Sequence, residues 1–187
     1  MRVARGTGRG TAVELIKPLT YMNRSGAVLS PRRADPGFDP SRDLLVLVDE
    51  VALPVGRFRL RAKGSPGGHN GLRSVEGALR SPEYARLRIG VGPLPPEYDD
   101  MADYVLDPFE PDEAEAIEAL LDPMADAVEC WLTEGIDVAM NRHNRTGGQV
   151  DGQPGKADED DGQGRQAKDQ ADGQTDRGPE PPTPRNR

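Results

Sequence analysis

The chain has 187 residues, a single cysteine and a formal net charge of −8 at neutral pH. The lone Cys130 excludes an intramolecular disulfide framework and favours a reducing compartment, which we predict to be the cytoplasm. No apolar run approaches the roughly 20 residues needed to cross a bilayer, so no membrane association is predicted. The length suits one domain, which we place at residues 1–144.

Residues 145–187 differ in composition from the rest. Gly, Gln, Asp, Pro, Lys and Arg dominate them, and Val150 is their one sizeable apolar residue. Such a stretch cannot bury enough surface to offset its ordering entropy. We therefore predict a disordered polar tail over residues 145–187.

The charge is distributed unevenly along the predicted domain. From Arg57 to Arg88 there are eight basic and two acidic residues, whereas no Lys or Arg occurs between Glu97 and Asp137. A local excess of positive charge is typical of a surface that contacts phosphates. Solvated faces of this size are just as common in proteins that bind no nucleic acid, so charge alone leaves both readings open.

The first half of the domain alternates strand and turn patterns. Residues 12–19 (AVELIKPL) predict a strand, and TYMNRSGAVLS predicts a turn and then a helix capped near Asn23 or Ser25. The apolar run LLVLV, residues 44–48, predicts a strand buried on both faces, whose carboxyl end presents Asp49.

The second half adds a half-buried strand and several helical patterns. GRFRLRAK (56–63) alternates strictly between basic and apolar residues, ARLRIGVG (85–92) predicts another strand, and 111–139 has helical spacing. A glycine-rich loop between the two strands leads into a helix that begins near Asn70. Strands mixed with helices predict an α/β fold.

The polar residues at strand and helix ends each allow two interpretations. Asp49 can orient a histidine or hold a metal, or it can cap the next turn. Asn70, beside His69, can contact substrate or can simply cap its helix. Asn23 can likewise cap a turn, and Tyr21 can stack on a base or belong to the core. One cysteine and two distant histidines form no zinc-binding pattern, and no metal or other cofactor is predicted.

Taken together, these segments resemble the bacterial peptidyl-tRNA hydrolase family. The resemblance rests on KPLTYMNRSG (17–26), VLVDEVALPVGRFRLRAKGSPGGHNGLRSVEGAL (46–79), YARLRIGVG (84–92) and DYVLDPFEPDE (103–113), and it covers about residues 1–144. It implies an esterase that cleaves the bond between a peptide and the terminal ribose of tRNA. It also implies one domain with a mixed twisted sheet flanked by helices on both faces, acting as a metal-free monomer.

The resemblance also implies roles for individual residues. In the family a histidine acts as the general base on water and an aspartate orients it; Asp49 matches that aspartate. Asn23 and Asn70 match asparagines that position substrate and water, with Tyr21 beside the first and His69 beside the second. Arg61 and Arg88 match basic positions that contact tRNA phosphates.

One part of the family pattern has no match in the chain. The family opens with a strand, a Gly-Asn-Pro-Gly turn and a Thr-Arg-His-Asn stretch that carries the catalytic histidine, whereas residues 1–14 resemble a later hairpin. We therefore expect an N-terminally incomplete domain with an exposed strand edge and without the general base. Neither His69 nor His143 is expected near Asp49. The alternatives are a non-catalytic RNA-binding relative and a non-functional fragment.

Overall fold

The computed structural model describes residues 1–96, 98 and 100–146, so the predicted tail lies, from residue 147 onward, outside the described residues. Its central element is a mixed three-stranded sheet of β3 (Leu45–Pro54), β4 (Phe58–Arg61) and β5 (Ala85–Gly92) in the order β3-β5-β4. Strand β5 runs parallel to β3 and antiparallel to β4. A separate antiparallel hairpin consists of β1 (Arg2–Gly8) and β2 (Thr11–Lys17).

Helices cover both faces of the mixed sheet, which confirms the predicted α/β class. The helical pattern at residues 111–139 is confirmed too, but the region forms three consecutive helices instead of one. The second of them ends at Gly135, whose φ is 85°. The α-helices are α1 (Ser30–Arg33), α2 (Pro40–Asp43), α3 (Asn70–Leu79), α4 (Met101–Tyr104), α5 (Pro111–Ala119), α6 (Leu121–Glu134) and α7 (Ile136–Thr146).

Two hydrophobic clusters hold these layers together, one on each face of the sheet. The alternation predicted for β4 is confirmed, since Phe58 and Leu60 are buried and their basic neighbours point the other way. Phe58 and Leu60 pack with Met124 and Ala127 of α6. On the opposite face the second cluster comprises Leu29, Val48, Leu72, Val75, Leu79 and Tyr84.

The helix predicted after TYMN is a 3-10 helix, Met22–Leu29, rather than an α-helix. The residue at its N-cap is Tyr21, with no capping side-chain bond, so the expected caps at Asn23 and Ser25 are wrong. Packing against α3 places this segment instead. A Cβ added at Gly26 would lie 2.0 Å from the Ser74 carbonyl oxygen, so only glycine permits the contact.

Strand β3 is less buried than its apolar run predicted. It pairs with β5 along one edge, and no described residue pairs with its other edge. Leu47, predicted to be buried, is 56% exposed. The apolar run correctly indicated a strand, but its burial depends on a neighbour on both sides.

Candidate active site

Asp49 lies near the carboxyl end of the part of β3 that pairs with β5, where parallel sheets commonly place their sites. His69 Nε2 lies 3.0 Å from Asp49 Oδ1, and both side chains are partly buried. The hydrogen bond from His69 lowers the pKa of Asp49, and the attraction of the imidazole adds to it, while burial opposes the change. Asp49 therefore remains ionised and holds the imidazole ring in place.

His69 also caps helix α3 through its other ring nitrogen. Its Nδ1 accepts hydrogen bonds from the backbone N–H groups of Gly71, at 3.0 Å, and Leu72, at 3.2 Å. An accepting Nδ1 carries no proton, so the proton of the neutral ring is on Nε2 and is donated to Asp49. Both ring nitrogens are thus engaged, and the one basic lone pair of the ring, on Nδ1, is not available to take a proton from water.

This arrangement corrects one expectation and excludes one of the two readings of Asn70. Neither histidine was expected near Asp49, yet His69 contacts it, because the glycine loop brings the start of α3 back to the end of β3. The cap of α3 is His69 and not Asn70, which leaves Asn70 exposed, with its Oδ1 3.4 Å from Arg73 Nη1. His143 lies on α7, away from these contacts.

A cavity of about 320 Å³ opens beside Asp49 and His69. Its walls come from β3, α3 and the chain just before and within the 3-10 helix, including Thr20 and Met22. Gly71 sits so close to Met22 that an added Cβ would lie 2.7 Å from the sulfur. The starts of the two helices, which carry Asn23 and Asn70, therefore adjoin at the mouth of the cavity.

Of the remaining predicted site residues, Tyr21 is 83% exposed and Asn23 is exposed as well. Neither lines the cavity itself, although Thr20 and Met22 on either side of Tyr21 do. The structure thus brings Asp49 and His69 into direct contact and leaves the other polar candidates at the surrounding surface.

The two predicted phosphate contacts have different environments. Arg61 is exposed at the surface. Partial desolvation of its guanidinium, followed by the like charges of Arg59 and Arg88, lowers its pKa. Arg88 instead points inward: it pairs with Glu50 and donates to the Ser65 carbonyl oxygen at 3.0 Å. Its side chain is 19% exposed, so we assign it to holding the glycine loop rather than to a phosphate.

Glu50 is the residue whose role the sequence least revealed. It directly follows Asp49 in the chain, and its carboxylate is neutralised by Arg88. The glycine loop is therefore tied to the end of β3 twice, through Ser65 and Arg88 at one end and through His69 and Asp49 at the other. No spacing rule connects residues so far apart in the chain.

Lowering the pH should test the contact between Asp49 and His69. A carboxyl whose pKa is lowered by folding stabilises the native state above its ordinary pKa of about 3.9, and this contribution is lost as the pH falls through the lowered value. The Asp49→Asn variant keeps an acceptor for His69 but cannot ionise. We expect the difference in unfolding free energy between wild type and variant to stay constant from pH 6 to about pH 5 and to shrink as the pH falls below about 4; a difference that stays constant down to pH 2 would contradict the contact.

The comparisons with known proteins point to one family. Residues 1–151 match the family model described as peptidyl-tRNA hydrolase. The chain is 49% identical over 135 residues to the peptidyl-tRNA hydrolase of Gemmatimonas aurantiaca, and this alignment covers 71% of each protein. It is 52% identical over 132 residues to that of Symbiobacterium thermophilum, covering 71% of this chain and 69% of the relative.

A solved structure shows the same fold. The peptidyl-tRNA hydrolase from Acinetobacter baumannii superimposes with a TM-score of 0.67 at 32% sequence identity, covering 74% of this chain and 69% of that one. No helix in the described part of the chain is both long and apolar enough to cross a membrane. On the matched family model, the close relatives and the shared fold, the chain belongs to the peptidyl-tRNA hydrolase family, a family of hydrolytic enzymes.

Proposed function

We propose that this chain binds peptidyl-tRNA with the ester bond in the cavity beside Asp49, and that it hydrolyses that ester slowly. The observation that carries the proposal is the state of His69, whose two ring nitrogens are occupied by Asp49 and by the start of α3. General base catalysis needs a nitrogen lone pair within reach of the attacking water. Asp49 is placed to orient such a base, and among the described residues that line the cavity His69 is the one histidine.

The surrounding polar residues suit the binding of substrate. Asn23 and Asn70 each present an amide that can donate and accept hydrogen bonds, at the adjoining starts of two helices. Tyr21 exposes its ring beside them and can stack on the terminal base or ribose. His69 contributes indirectly, since it positions Asn70 by capping α3.

The outer face of β4 supplies the contact to phosphates. Arg59 and Arg61 lie opposite Arg88 and Arg86 of β5, which places four guanidinium groups on one side of two neighbouring strands. Like charges in direct cross-strand pairs are destabilising unless a counter-charge is present. Glu50 and Glu76 neutralise the two arginines of β5, and no carboxylate in the described ranges pairs with Arg61. A phosphate at Arg61 would relieve this repulsion.

The engaged ring nitrogens of His69 also favour a second candidate function. In this alternative the chain is a non-catalytic RNA-binding relative that keeps the basic face of β4 and catalyses no reaction. Both candidates act on RNA of the translation machinery, and we propose that the chain works as a cytoplasmic monomer without a metal. They differ in whether Asp49 supports any reaction, a difference that the rescue experiment described in the Discussion measures.

Binding of tRNA should depend on salt and on Arg61. If Arg61 contacts a phosphate, Arg61→Ala should weaken binding by roughly threefold to tenfold and reduce the slope of log K against log salt by about one unit. Arg2→Ala, which removes one exposed arginine from the hairpin, serves as the matched control and should change little. Fluorescence anisotropy with labelled tRNA at 50–200 mM salt measures both, and salt-independent binding would rule out the phosphate contact.

A further inference from the structure

A second cavity lies outside the site around Asp49. It has a volume of about 230 Å³ and is lined by Val91 near the end of β5, by Pro95 and Tyr98, and by residues from Tyr104 to the first turn of α5. Cavities for drug-sized ligands measure roughly 300–1,000 Å³, so this one suits a smaller group. It shares no lining residue with the cavity beside Asp49.

Three aromatic rings contribute to its wall. Tyr98 and Tyr104 meet edge to face, with ring centroids 5.1 Å apart and an interplanar angle of 65°. The hydroxyl of Tyr104 donates to the Val91 carbonyl oxygen, which fixes that ring against the end of β5. Phe109 lines the cavity from the other side and is 45% exposed. Rings held at different angles present several negative π faces and edges to one small space.

Three carboxylates line the same cavity: Asp107, Glu110 and Glu113. Asp107 accepts a hydrogen bond from the Tyr98 hydroxyl at 2.6 Å, and Glu113 accepts one from the Glu110 backbone N–H at 3.0 Å. These partners are neutral, so they leave the negative charges uncompensated. Burial and then the charge of Glu113 raise the pKa of Tyr104, which indicates that this carboxylate acts on the ring.

No positive charge lies nearby in the sequence to balance these groups. The chain contains neither lysine nor arginine between Arg88 and Arg142. None of the described residues that line the cavity is basic. A small space walled by aromatic rings and by carboxylates that have no basic partner among the described residues favours an organic cation, because the ring quadrupoles and the carboxylate charges both attract it.

We propose that this cavity binds an alkylammonium group, supplied either by a lysine side chain of a peptide or by a free polyamine. An alkylammonium fits because its methylene groups contact the rings while its charged head reaches the carboxylates. Val91 lies two residues beyond Ile89, the strand partner of Asp49, so the cavity is about 7 Å further along β5 from the proposed ester site. A peptide that extends from Asp49 along β5 would reach this cavity.

The proposal is tested by titrating the full chain with Nα-acetyl-lysine N-methylamide. The NMR signals of the Tyr104 and Phe109 rings report the binding. The norleucine counterpart has the same methylene chain without the charge. We expect the lysine compound to bind with millimolar or better affinity and to shift both rings, and the norleucine compound to bind at least about fivefold more weakly. Equal binding of the two compounds would overturn the proposal.

Substitutions separate this cavity from the acidic surface in general. Glu113→Gln keeps an oxygen for the Glu110 N–H and should weaken binding about fivefold, whereas Glu118→Gln, on the same helix but away from the cavity, should have no effect. Phe109→Leu, at a partly exposed position, should also weaken binding. Equal effects of Glu113→Gln and Glu118→Gln, or displacement of the lysine compound by Mg²⁺ at equal ionic strength, would reduce the site to a diffuse acidic patch and contradict the proposal.

Spermidine distinguishes the two sources of the ammonium group. Tighter binding of spermidine than of the lysine compound, with the same dependence on Glu113, supports a free polyamine as the natural ligand. Tighter binding of the lysine compound supports a peptide side chain. Failure of both compounds to shift the Tyr104 and Phe109 rings would refute the alkylammonium site without affecting the assignment of Asp49.

Discussion

Peptide should be released from peptidyl-tRNA roughly 10²–10⁴-fold more slowly by this chain than by the Gemmatimonas aurantiaca relative under single-turnover conditions. That range is the usual contribution of a positioned general base. The relative is 49% identical over the matched region, which makes it a suitable reference for the same assay. Acid quenching and separation of free peptide from tRNA measure both rates.

The physical reason lies in the hydrogen bonds of His69. To act as a base, its Nδ1 would have to release the backbone N–H groups of Gly71 and Leu72, leaving the start of α3 without its cap. Loss of an N-cap costs about 1 kcal/mol, and two buried donors would lose their partner as well. His69 is therefore more useful as a support for Asn70 than as a catalyst.

Added imidazole should restore part of the rate. The cavity beside Asp49 has a volume of about 320 Å³, which accommodates an imidazole molecule together with the end of the substrate. Imidazole hydrogen-bonded to Asp49 would be oriented as a base, so the rate should rise with its concentration in the wild type and stay flat in Asp49→Ala. Rapid turnover without imidazole that disappears in Asp49→Ala would show that His69 does serve as the base. Tight tRNA binding without any rescue would favour the non-catalytic relative.

Glu76→Ala should be the most destabilising single substitution among the ion pairs of the sheet, by about 3 kcal/mol. Arg86 is fully buried; its Nη2 lies 2.9 Å from Glu76 Oε1, and its guanidinium stacks 4.1 Å from the Tyr84 ring centroid. Two of its nitrogens, Nε and Nη1, already have no hydrogen-bond partner. Removing Glu76 would leave a buried positive charge without a counter-ion.

Two further variants make this prediction specific. Glu83→Ala breaks the exposed pair of Lys63 and Glu83, which are 3.5 Å apart, and should change stability by less than about 1 kcal/mol. The double variant Glu76→Leu with Arg86→Met should recover most of the loss, because apolar residues often replace a buried pair without penalty. Urea unfolding followed by the fluorescence of Trp131, the one tryptophan in the chain, measures all three. Equal losses in Glu76→Ala and Glu83→Ala would contradict the role of burial.

Much of the fold follows from local pattern. The alternation in β4, the helical spacing of Leu72, Val75 and Leu79 and the helical region beginning at Pro111 were all predictable, because each pattern reports how one segment divides its apolar and polar faces. Burial was less predictable. The apolar run that forms β3 indicates a strand buried on both sides, but Leu47 is 56% exposed, and none of the described residues forms a strand along that edge of β3.

The family and the mixed α/β architecture could be predicted from the sequence, and Asp49 could be singled out as a candidate, since these depend on residue types at short, fixed spacings. What the side chains contact depends on the tertiary structure. Asp49 and His69 are twenty residues apart, and Glu50 and Arg88 thirty-eight, so their pairing depends on how β3, β5 and the glycine loop are arranged in space. That arrangement engages His69 on both ring nitrogens and turns Arg88 inward, because buried polar groups must find partners wherever the fold brings them together.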